Sequence, residues 1–166
     1  MSKIALRREL ALMSEDQLRQ IIMDAYSARK EIKEYFDYFL NPDPVAKGQE
    51  YMRKMAREMA RRRGPRATVL KKLLKDFAQF RPGMNIMLDL YAEFWALFII
   101  NYDTVYISQA IENLLDTTCR DAVAMADADG ALTAIDRIYD NIDSMFSRSR
   151  GKNVVMRSLR DARENI

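Results

Sequence analysis

Only five glycines and four prolines interrupt the 166 residues of this chain, and between them apolar residues recur in steps of three and four. Glycine and proline are the strongest local breakers, so so few of them favour long helices over turn-rich β structure. The breaks fall at "LMS" (12–14), "NPDP" (41–44), "RRRGPR" (61–66), "RPG" (81–83), "DADG" (127–130) and "SRSRGK" (147–152). No stretch between them alternates like a strand for more than a few residues. The pattern predicts an all-α chain, a compact multi-helix bundle of seven or eight helices. Alanine, leucine, arginine, lysine and glutamate, all good helix formers, reinforce it. By length the chain reads as a single helical domain, 1–166, able to bury about 70% of its unfolded surface. Residues 148–166 are expected to form a basic C-terminal helix or tail.

The clearest helical pattern lies near the N-terminus. Ser14 followed by Gln17 is a capping box, which marks a helix start. Leu18, Ile21, Ala25, Ala28, Ile32, Tyr35 and Phe39 then form an unbroken heptad-type seam. One helix carrying them all would run about 39 Å, until Asn41-Pro42 stops it. Such a seam suits self-association through residues 18–39. The helix from Met84 has a polar stripe of Asn85, Asp89 and Glu93 and is otherwise apolar, which places it at the centre of the fold. Ile107, Ala110, Ile111, Leu114, Leu115, Thr118, Ala122 and Met125 make the next stripe. Ile135, Ile138, Tyr139, Ile142 and Phe146 make another.

Charge is sorted along the chain. Residues 47–75 hold eleven cations against two carboxylates, whereas residues 76–147 hold three cations against twelve. Within the first block Arg53, Arg57, Arg61, Arg62, Arg63, Arg66, Lys71, Lys72 and Lys75 surround the Gly64-Pro65 break. The seven of them from Arg61 to Lys75, gathered at one helix-turn-helix corner, can raise a local potential of several kT. Either an external anionic partner or the acidic block itself answers it. Asp136, Asp140 and Asp143, spaced at i, i+4 and i+7, are the internal candidates, quenched by the basic corner or by Arg148, Arg150 and Arg157. Met52, Met55 and Met59 share one face of the same helix. They read as core filling, since a helix lying on a membrane shows Trp, Phe or Leu instead.

Chemistry-bearing motifs are scarce. Histidine is absent, which removes His-based triads, zinc hydrolases and carboxylate-histidine dimetal bundles. "DADG" places its glycine two positions early for a calcium loop and no Glu follows, so it reads as a helix-ending turn. No Gly-rich phosphate loop occurs. Asp89 and Glu93, at i and i+4, read as a solvated stripe rather than an acid–base pair. The aromatics of "EYFDYFL" read as core packing rather than a base-stacking platform. Cys119, the lone cysteine, continues an apolar face and reads as a buried hydrophobe. No catalytic residue, cofactor or metal is expected. "MSKIALRREL" lacks a signal peptide's apolar core. The most apolar run, "FWALFII", falls far short of the ~20 residues of a membrane span, so a cytoplasmic chain without a membrane segment is expected.

The segments "LRRELALMSEDQLRQIIMDAYSARKEIKEYFDYFLNPD" (6–43) and "KKLLKDFAQFRPGMNIMLDLYAEFWALFIINYD" (71–103) resemble a family of small bacterial proteins defined only as a domain of unknown function. Where that family continues into a Gly-Asp turn, this chain has "NYD". The resemblance implies no activity, substrate or catalytic residue. The opening helix pair is also faintly similar to SAP-type DNA-binding modules, though it lacks their glycine turn. The functional expectation is a non-enzymatic protein-interaction module contacting its partner through the basic corner at 53–75. Nucleic-acid binding, RNA or DNA, by the same corner is the alternative.

Overall fold

A computed structural model describes residues 2–165. All regular structure among them is helical, as expected, but it comes as nine helices rather than seven or eight. Backbone contacts divide them into two units, one ending at Asp43 and one beginning at Pro44.

The first unit holds α1 (Lys3–Ala11), α2 (Glu15–Ala28) and α3 (Lys30–Leu40). Ser2 caps α1 by accepting from the Ala5 amide at 3.2 Å. The Ser14 capping box is present in both directions, with Ser14 Oγ accepting from the Gln17 amide and Gln17 Oε1 accepting from the Ser14 amide. The single long helix is not. Arg29 is extended, with φ −136° and ψ 121°, and splits the seam into α2 and α3. No glycine or proline marks this break; the packing it allows explains it. The two halves pack on each other. Tyr26 donates to Asp37 at 2.7 Å, and its ring lies 6.5 Å from that of Phe36. A straight rod would leave the whole apolar stripe to water; folded back, each half covers part of the other. The cover is incomplete, because no residue of α1–α3 is fully buried. The aromatics of "EYFDYFL" therefore do not enter a closed core: Phe39 is 66% exposed, Phe36 and Tyr38 half-buried.

The second unit carries the core in α4 (Pro44–Met59), α5 (Ala67–Gln79), α6 (Met84–Asn101), α7 (Gln109–Ala128), α8 (Thr133–Met145) and α9 (Arg150–Glu164). Pro44 opens α4 at the first helical position, where its missing N–H costs nothing. The apolar α6 is central, packed by α4, α7 and α9, and buries Leu90, Phe94, Trp95 and Phe98 completely. By length and composition alone α6 is apolar enough to cross a membrane, which the seven-residue run understated. Here it is the core helix. Its one indole N–H is satisfied, donating to Thr118 Oγ1 at 2.9 Å, while that hydroxyl donates to the Leu115 carbonyl. Met55 and Met59 are fully buried, so the methionine stripe is core, and Cys119 is buried too. "DADG" ends α7 as a helix-terminating turn. Gly130 has φ 64°, and Gly130 and Ala131 donate back to the Asp127 and Ala126 carbonyls, a Schellman pattern. The basic C-terminal segment is no loose tail: α9 buries Val155, Met156, Leu159 and Ala162. Among the described residues no cluster of three potential metal ligands exists.

Candidate functional site: a basic corner stapled by Glu58

The corner is built by the turn from α4 to α5. Helix α4 cannot continue through Gly64-Pro65, since proline lacks an N–H and restricts the residue before it. Gly64 has φ 82°, and a Cβ there would fall 2.4 Å from the Tyr106 carbonyl oxygen. Only glycine meets both conditions, so the basic turn is pressed onto the connection between α6 and α7.

Glu58 fixes the turn from inside. Its side chain is buried and accepts from the Arg66 amide at 2.9 Å, from Arg66 Nε and Nη2 at 2.8 Å each, and from Arg61 Nη1 at 3.3 Å. A fork-on-carboxylate pair is the strongest type of charged hydrogen bond. These bonds outweigh the desolvation of the carboxyl and hold its pKa down at about 2. Among the nine candidate cations, Arg61 and Arg66 are thus committed to structure. Lys72 sits 3.8 Å from Asp76 in an exposed i,i+4 pair.

The other six, Arg53, Arg57, Arg62, Arg63, Lys71 and Lys75, are all exposed. None has a carboxylate within ion-pair distance among the described residues. The acidic block does not quench them. Asp143 pairs with Lys152 Nζ at 2.8 Å and Asp136 lies 3.8 Å from Arg163, both cations of α9. Internal neutralisation therefore occurs, but not through the basic corner. Nor do Arg148, Arg150 and Arg157 supply it: Arg150 instead grips Asp103 at 2.6 Å. The two blocks, equal and opposite in net charge, therefore do not neutralise each other: the few pairs that form are local or reach α9, and most of the corner stays unpaired.

Two neighbours of the corner escaped sequence reasoning. Tyr106, whose backbone meets Gly64, is 74% exposed and stands beside the cationic turn. Lys71 edges a shallow depression of about 260 Å³ with Ala67, Ala110 and Leu114 in its lining. Both arise from α7 and the α6–α7 connection meeting the corner in space, and no local spacing signals that. Asp89 is exposed, as the solvated stripe predicts, whereas Glu93 is half-buried; both line a larger groove in company with apolar side chains. No protein-family model, curated protein or solved structure matches the chain.

Proposed function

We propose that this chain is a non-enzymatic interaction module that docks an anionic protein surface on the basic corner. The observation that carries the reading is the set of six exposed cations that the chain's own carboxylates leave unpaired. The apolar depression beside Lys71 favours a protein partner, because protein interfaces join an apolar centre to a charged rim. Glu58 contributes by holding the turn in one shape before any partner arrives, which lowers the ordering cost of binding.

Nucleic-acid binding is the second reading, and the exposed Tyr106 ring is what favours it. Cations for phosphates beside an aromatic face for a base are the working parts of a single-strand site. Salt separates the two. Filter binding of mixed RNA and DNA, with and without Arg61, Arg62 and Arg63 changed to Ala, gives no retention at low salt under the protein reading. Under the second it gives retention that falls steeply as salt rises, and falls again in the variant. The first reading is supported if in-cell crosslinks to one acidic protein disappear when Arg53, Arg57, Lys71 and Lys75 are all changed to Glu. Crosslinks that persist in that variant would remove it.

A further inference from the structure

Away from the basic corner, α4 and α8 border a groove of about 460 Å³ whose floor is α6. Its walls are mostly apolar, with Val45, Met52, Ile138, Met145 and Phe146 interrupted by Gln49 and Asn141, and with Val45 55% and Met145 75% exposed at the rim. Its floor carries Asp89 and Glu93, one turn apart and flanked by Ile86 and Ala96. Neither carboxylate has a cation within ion-pair distance among the described residues, although Glu93 is half-buried. Asp89 is exposed, but partly removing the Glu93 carboxylate from water without a partner costs free energy, so Glu93 is set for a cation delivered between two apolar groups.

The chain carries the matching piece. Along α1 and its C-cap residue, Ile4, Arg8 and Leu12 follow in steps of four on one side, an apolar–cation–apolar row. Ile4 is 68% and Leu12 83% exposed. Lys3 and Arg7 add positive charge against the single carboxylate of Glu9. Within its own unit α1 packs at most weakly, whereas α2 and α3 pack on each other. Large apolar side chains left in water on a capped helix call for a cover.

We infer that the groove between α4 and α8 seats α1 of a second copy of this chain, with Arg8 over Asp89 and Glu93 and with Ile4 and Leu12 against the apolar walls. Reciprocal seating uses the same two surfaces on both copies and closes the assembly as a symmetric dimer. The inference does not depend on the basic corner, whose residues it leaves untouched.

Sedimentation velocity on the full chain over a wide concentration series tests it. The expected result is a monomer–dimer equilibrium. Arg8→Glu and Glu93→Arg should each weaken it ~10-fold or more, as close charge pairs at interfaces do. Mixing the two variants should restore association, because every seat then again joins opposite charges. Leu12→Gln should give a comparable loss without altering any charge, and circular dichroism identical to the parent shows that each variant is folded. Monomer at all concentrations would overturn the inference, including the case where α1 fills the groove of its own chain. So would a dimer that neither charge variant disturbs.

Discussion

Glu58 sits at a position where one proton decides much. Its folded-state pKa of about 2 lies below the ordinary carboxyl value of 4.5. The stabilisation it gives is therefore complete above about 4.5 and is lost as pH falls toward 2. Glu58→Gln should remove on the order of 2 kcal/mol at neutral pH and flatten the acid limb of a denaturation-versus-pH curve, read by urea melts. Arg66→Leu is expected to narrow the gap from the other side by raising the Glu58 pKa, which carbon-13 NMR of that carboxyl would report. Cys119 makes a second residue-scale prediction. Burial, with Asp116 nearby, pushes its thiol well up, so the folded protein should resist iodoacetamide and react only on unfolding. The inert cysteine was legible from its place on an apolar face. Glu58 was not: a lone carboxylate in a basic run has the same sequence signature whether it is solvated or buried.

Among the elements, the capping box, the core helix, the methionine face and the "DADG" stop could all be read in advance, because each is a local rule of spacing or of glycine geometry. The long heptad helix could not. Periodicity reports which residues share a face, not whether the backbone stays straight, and the extended conformation of Arg29 is favoured by contacts eleven residues apart. Helix crossings are equally silent in sequence. Gly151, in the first turn of α9, lets that helix approach α6 so closely that a Cβ would lie 2.7 Å from Tyr102 Cβ and 3.1 Å from the Ile99 backbone. Gly151→Ala should cost about 1–3 kcal/mol in thermal or chemical denaturation, since backbone cannot yield as a side-chain tip does. Alanine's better helix propensity would return only about 1 kcal/mol of the strain.

At the scale of the whole molecule, net charge misleads and position decides. Blocks of opposite sign suggested a mutual embrace, yet the carboxylates of α8 turn to α9 and the corner keeps most of its field. Sequence tallies count charges without knowing which helix faces which. The two units should also differ in persistence. Hydrogen exchange is expected to be slowest in α6, α7 and α9, which bury most of the core, and fast throughout α1–α3, where no residue is fully buried. Equal protection of the two regions would contradict that ordering.

Lys152 gives the fold a practical handle. Its side chain is 10% exposed, and its ammonium donates to the Asp143 and Phe146 carbonyls at 2.7 and 2.9 Å, tying the end of α8 to the start of α9. An acylating reagent in native buffer must therefore mark Lys71 and Lys75 early and Lys152 late. Mass spectrometry of that single amine then becomes a clock for the loosening of the last two helices, needing no introduced probe.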